Sequence, residues 1–273
     1  MAAIDPMHQF HIKKIVEIPP IDTPLGALDL SITNSVLTMM IGAALICLWF
    51  LVTARGQVVP SRAQALGEGL YNIVDRTLVS PIIGEKGRPY IPFVFTIFMV
   101  VLFFNMIGLI FNLGNVAGQY YSFTATAQLA VTATLAVLTF LTVIAIGFWK
   151  NGLKFFSLFV PKGVPWWMLP MMVLIELISF MVRPLTLAMR LFGNMIGGHV
   201  VMNIFASFVV GLGVFALTTG GMAYLGLLGS AVSFGMVVAL TALELIVAFL
   251  QAFVFAALTS VYLNEVVNLG HGH

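Results

Sequence analysis

What this sequence lacks most is charge. Its 273 residues include 12 Lys or Arg and 10 Asp or Glu, or 8%, where a soluble domain averages about 25%. Hydrophobic residues make up 60%, and so few charges cannot cover the surface of a soluble globule. The same scarcity excludes a disordered chain and a nucleic-acid binder working through a basic patch. Cysteine is nearly absent too: Cys47 stands alone in an apolar run, which excludes a disulfide framework and a Cys-based metal site. Glycine and proline show no collagen period. No cofactor motif appears, and no glycine-rich loop ending in Lys-Ser or Lys-Thr marks a nucleotide site. The composition is that of a multi-span membrane protein.

What is present is a series of long apolar runs. A spanning helix needs about 20 apolar residues, and the sequence predicts spans near 31–54, 89–111, 124–149, 166–212 and 222–264. The first is closed by Arg55. The stretch 89–149 carries no charge and divides at the turn formers of 112–119. Between Val58 and Lys86, charges alternate with Leu66, Leu70, Ile73, Val74 and Leu78, which predicts an amphipathic surface helix over about 60–80. The last two runs, separated by glycines around 211–221, are about twice the length of a perpendicular crossing. Periodicity leaves two arrangements open for each: two short spans, with Arg183-Pro184 as a break in the first run, or one long tilted helix.

The placement of positive charge orients the chain. Residues 55–88 hold Arg55, Arg62, Arg76, Lys86 and Arg88, and residues 150–162 hold Lys150, Lys154 and Lys162. The intervening connections near 112–124 and 211–222 hold none. The positive-inside rule places the two basic loops in the cytoplasm, with the C-terminus inside and the N-terminus outside. Residues 1–30 form a polar tail without the pattern of a secretory signal. The expected architecture is an all-α multi-pass protein: this tail, then a single membrane domain over 31–273 with about five crossings and one surface helix.

Five ionisable residues interrupt the last two runs: Glu176, Arg183, Arg190, His199 and Glu244. A charge at mid-bilayer costs at least ~2.5–3.5 kcal/mol, so such residues face protein or water and mark an ion pathway by default. At 100° per residue Glu176, Arg183, Arg190 and Asn194 fall within about 40° of one another. Thr186, Gly193 and Gly197 adjoin them, giving a small-residue face suited to close helix approach. His199 points to the opposite side. Glu244 and Gln251 share a face of the final run. If Gln251 lies opposite Arg190 in an antiparallel hairpin, the numbers of facing residues total about 441. His199 and Glu244, totalling 443, then lie at nearly one depth and could pass protons. Glu176 with Arg183 can equally be an internal ion pair, and Asn194 and Gln251 can be interhelical glue. Arg190 is too far from either end of its run to snorkel and has no acid one turn away, so its counter-charge is expected from another chain.

The run Arg183-Pro184-Leu185-Thr186-Leu187-Ala188-Met189-Arg190-Leu191-Phe192-Gly193-Asn194-Met195 resembles the signature of subunit a of F-type ATP synthases. Leu250-Gln251-Ala252-Phe253-Val254-Phe255, with Leu258-Thr259 and Tyr262-Leu263, resembles that family's last helix. The resemblance covers the whole chain. It implies one outer span, a surface helix, a two-span hairpin and two long tilted helices against a rotor ring of c subunits, with peripheral-stalk b subunits and the rest of the synthase as further partners. It assigns Arg190 as the stator arginine, accompanied by Gln251. His199 and Glu244 match positions lining the outer half-channel, where some relatives carry the acid and the imidazole the other way round. Glu176 matches the acid near the inner half-channel, with Asn194 between the two. A bacterial inner membrane and a non-catalytic role are the corresponding expectations. The alternative is a self-contained proton-coupled transporter using His199 and Glu244. Another motor's stator, normally centred on an acid, and a membrane hydrolase fit less well.

Overall fold

In a computed structural model, residues 14–16, 21–23, 26–28, 31–54, 59–115, 125–160, 165–218 and 223–269 are described. Several expectations fall outside them: Arg55, Lys162, the end of the 112–124 turn, Gly220-Gly221 and most of the polar tail. The tail does contribute short strands. β1 (Lys14–Val16) pairs antiparallel with β4 (Ile32–Thr33), and β2 (Ile21–Thr23) pairs with β3 (Gly26–Leu28). The rest is helical: α1 (Asn34–Thr53), α2 (Arg62–Ile73), α3 (Ser80–Ile83), α4 (Ile91–Asn115), α5 (Leu129–Asn151), α6 (Leu169–Thr218) and α7 (Ala223–Val267). Five of the helical stretches are long and apolar enough to cross a membrane.

Local chemistry sets several boundaries. Ser61 caps α2, its hydroxyl accepting from the Gln64 amide at 3.3 Å, the usual way of satisfying a free helix N–H. Gln64 is the one buried residue of α2. Leu66, Tyr71 and Ile73 stay exposed, as on a helix lying at a membrane surface. A π-helical turn, Val74–Val79, follows; such a turn inserts an extra residue into the helical repeat and here buries Val74, Leu78 and Val79 together. At the end of α5, Gly152 adopts φ +53°, a left-handed conformation that favours glycine, and the chain turns into a 3-10 helix over Gly152–Phe159.

The two alternatives for the last apolar runs are resolved. α6 is one 50-residue helix and α7 one 45-residue helix, about 75 Å and 67 Å long at 1.5 Å per residue. Each exceeds twice the ~30 Å hydrocarbon thickness, so each must lie strongly tilted in a bilayer. Arg183-Pro184 does not break α6, and Pro184 sits inside it. Membrane helices tolerate proline because neighbouring groups re-satisfy the freed carbonyl.

The chain divides into two units that share these long helices. The first comprises Met1–Ala44, Phe103–Gln128 and Phe192–Phe249. Its apolar centre joins Leu109 of α4, Met202 of α6 and Val237 of α7, with Phe205, Ala206 and Val209 packed against them. Here α6 and α7 run antiparallel: the Ser230 hydroxyl donates to the Val209 carbonyl at 2.9 Å, and Thr241 Oγ1 lies 3.4 Å from Met202 Sδ. These pairs total 439 and 443, within two of the register expected from Gln251 facing Arg190.

The second unit comprises Leu45–Leu102, Leu129–Leu191 and Leu250–His273. It is held by aromatic edges. Phe155 and Phe159 stand edge-on to Phe180 of α6 at 6.3 and 5.3 Å, and Phe140 of α5 lies 4.9 Å from the same ring. Such pairs are worth about 0.5–1.5 kcal/mol each beyond area burial. Asn151 Nδ2 donates to the Val266 carbonyl at 2.8 Å, and Asn268 Nδ2 to the Ile83 carbonyl at 3.1 Å. Lipid gives no hydrophobic drive for helix association, so such interhelical bonds and tight packing carry it.

Candidate functional site

Glu244 projects from α7 toward α6 because one residue there has no side chain. A methyl built on Gly198 would meet the Glu244 carboxyl carbon at 3.0 Å, so only glycine leaves the carboxylate its present place. The next residue, His199, is 1% exposed and presents Nδ1 at 4.0 Å from Glu244 Oε1. That is beyond hydrogen-bond length, and neither Glu244 oxygen has a hydrogen-bond partner among the described residues. The structure thus brings together the histidine and the acid that the hairpin register placed at one depth. Asn105 of α4, fully buried, donates to the Ala248 carbonyl one turn further along α7 at 3.3 Å.

The charges of the second unit form another group. Arg183 lies 3.7 Å from Glu176, seven residues back along α6, and also hydrogen-bonds Glu265 of α7. Its guanidinium packs 5.4 Å from the ring centroid of Phe180 and 5.1 Å from that of Tyr262, a cation–π arrangement on both. The expected Glu176–Arg183 pair is present but is the longer contact. Glu265 was not anticipated, because it reads as a boundary charge at the end of its apolar run. Its spacing carried the signal: Glu244, Gln251 and Glu265 lie at multiples of seven on one helix, as Glu176, Arg183 and Arg190 do on the other.

The remaining expected residues separate by exposure. Gln251 is 2% exposed. Arg190 is exposed, and no carboxylate pairs with it among the described residues. Thr186, Gly193, Asn194 and Gly197 of the same helix are also exposed, and a methyl built on Gly193 or Gly197 would meet nothing within 4 Å. Among the described residues no group of three or more His, Cys, Asp or Glu could hold a metal ion.

This pattern can be set beside known proteins. The family model described as ATP synthase A chain matches residues 36–264. The chain is 45% identical to ATP synthase subunit a of Rhodopseudomonas palustris (strain BisB18) over 269 residues, covering 98% of this chain and 100% of that protein. It is 45% identical to ATP synthase subunit a of Chelativorans sp. (strain BNC1), at 98% and 100% coverage. For the subunit a of Azorhizobium caulinodans the identity is 44%, with coverage of 98% and 99%. A match over most of the length, with five spanning helices and the signature run of α6 in place, leads to one conclusion: the chain belongs to the ATP synthase subunit a family.

Proposed function

We propose that this chain is the proton-conducting stator of a rotary ATP synthase, in which Arg190 divides two aqueous half-channels that serve carboxylates on a ring of c subunits. The observation that carries this reading is Arg190: a permanent charge deep in a 50-residue apolar helix, exposed, with no carboxylate beside it among the described residues. Such a charge costs at least ~2.5–3.5 kcal/mol in lipid, so its exposure calls for a partner that is itself charged. Gly193 and Gly197, with room for a methyl and none present, leave α6 smooth enough for another helix to approach closely. A transporter that closes its own substrate cavity would turn its essential charge inward; this helix does the reverse.

The residues divide the work. A proton arriving from outside passes His199 and Glu244, either of which can accept it, and continues by Asn194 to a rotor carboxylate. Once neutral, that carboxylate can turn into lipid, which a charged one could do only at high cost. After nearly a full turn it meets water connected to Glu176 and releases the proton inward. Arg190 cannot relay the proton, because a guanidinium keeps its charge under all physiological conditions. It attracts each ionised carboxylate and keeps the half-channels from joining, and Gln251 accompanies it from α7. Proton flow is thereby coupled to rotation, and the chemistry of ATP belongs to a separate catalytic head, so this subunit is non-catalytic. Peripheral-stalk b subunits hold it against the torque. The basic loops support a cytoplasmic C-terminus and an outer polar tail, and the membrane of this reading is a bacterial inner membrane.

The test is Arg190→Ala in membranes carrying the assembled complex. Proton-driven ATP synthesis should be abolished, and hydrolysis by the head should no longer pump protons. Normal coupled synthesis in that variant would overturn the assignment.

A further inference from the structure

Where the end of α1 meets α2, the second unit holds a cavity of about 410 Å³ walled by Trp49, Phe50, Tyr71 and Phe95. The rings brace one another: Phe95 stands edge-on to Phe50 at 5.8 Å and to Tyr71 at 5.4 Å. Among the described residues, Glu68 is the only charged side chain in the lining. It is oriented by Gln64, which is buried and donates from Nε2 to Glu68 Oε1 at 2.8 Å. No salt bridge reaches Glu68 among the described residues. The cavity's depth follows from its walls. Thr53 and Ala54 lie at the end of a 20-residue apolar helix, and α2 is the amphipathic helix, so the opening lies at the level of lipid headgroups.

Aromatic faces attract cations through their quadrupoles, and a cluster of them beside one carboxylate is the arrangement that receives quaternary ammonium groups. A primary ammonium carries three N–H donors and needs an acceptor for each. Four of the nine lining residues, Trp49, Phe50, Tyr71 and Phe95, are aromatic, a wall better suited to methyl groups than to N–H donors. A trimethylammonium group makes no such demand; its methyls pack on the rings and its charge is balanced by Glu68. We propose that this cavity binds the choline headgroup of phosphatidylcholine, fixing a lipid between the first span and the surface helix. The lining shares no residue with the proposed proton path, and the proposal does not depend on the reading of Arg190.

The experiment uses the intact complex in nanodiscs containing a photoactivatable phosphatidylcholine, with labelled peptides mapped by mass spectrometry. Labelling is expected on the segments holding Trp49–Thr53 and Gly67–Asn72, displaced by unlabelled phosphatidylcholine and much less by phosphatidylglycerol or phosphatidylethanolamine. Glu68→Gln and Tyr71→Leu should each lower it roughly three- to tenfold, the loss of one contact to the cation, while Tyr71→Phe, which keeps the ring, should retain it. Proton-driven ATP synthesis in each variant checks that the complex has assembled. Equal displacement by phosphatidylglycerol would overturn the proposal. So would competition by free choline at the lipid's own potency, or absence of labelling because a partner helix fills the cavity.

Discussion

Arg183 of α6 and Glu265 of α7 are joined by a hydrogen-bonded salt bridge, and Glu176 lies within reach of the same guanidinium. One cation thus holds two acids, one on its own helix and one across the hairpin, while two aromatic rings flank it. The pair is only partly buried, with side-chain exposures of 17% and 30%, so its value lies between the ~0–1 kcal/mol of an exposed bridge and the several kcal/mol lost when a buried one is broken.

A double-mutant cycle on that pair should therefore show coupling. Arg183→Met, Glu265→Gln and the double variant, compared by thermal unfolding of the purified complex, should give an interaction of about 1–2 kcal/mol. Additive effects would mean that the contact contributes nothing measurable.

Gly198 offers a way to disturb the His199–Glu244 pair without touching its ionisable groups. Gly198→Ala places a methyl 3.0 Å from the Glu244 carboxyl carbon and should swing the carboxylate away from His199. Proton-driven synthesis should fall several-fold while the amount of assembled complex stays constant. Glu244→Gln should slow proton uptake and change its pH profile, and His199→Ala should do likewise. Normal conduction in both would remove these residues from the path.

Gly193 and Gly197 separate a stator from a self-contained transporter. Within this chain a methyl at either position meets nothing, so Gly193→Leu should leave the subunit folded and inserted. If a ring of helices slides past this face, the same substitution should block rotation and proton flow together. A variant that conducts and synthesises normally would show that no partner approaches there.

Asn105 is a structural counterpart. It is fully buried and donates across to Ala248, and interhelical bonds of this kind in membranes are worth about 0.6–2 kcal/mol. Asn105→Leu should lower the unfolding temperature of the complex, whereas Asn105→Gln should recover part of the loss if the donor reaches the carbonyl. Equal stability of all three would place the bond among the neutral ones.

The features written in the sequence are those that polarity dictates. Lipid forbids stray charge, so the ionisable residues of α6 and α7 identify themselves, and once Gln251 is set opposite Arg190 a fixed helical pitch puts His199 and Glu244 at nearly one depth. Other features depend on facts that numbering does not contain. Whether Arg183-Pro184 breaks a helix depends on what surrounds the freed carbonyl, and here α6 continues. Glu265 looks like one more boundary charge until the fold sets it opposite Arg183. The π turn at Val74–Val79 shifts which apolar residues are buried, which an even helical period cannot anticipate. The short ladders of β1 to β4 involve two or three residues each, too few to leave an alternating pattern.

The bareness of α6 also bears on how such a protein is made. Only 6% of the apolar window along this helix is buried, and the hydrocarbon of the bilayer can cover its leucines and valines but has nothing to offer the Arg190 guanidinium. A newly inserted copy is thus under-solvated along one stripe until its neighbours arrive. Its lifetime in the membrane should be governed by how soon they do. The exposed face that makes the subunit useful makes it perishable when alone.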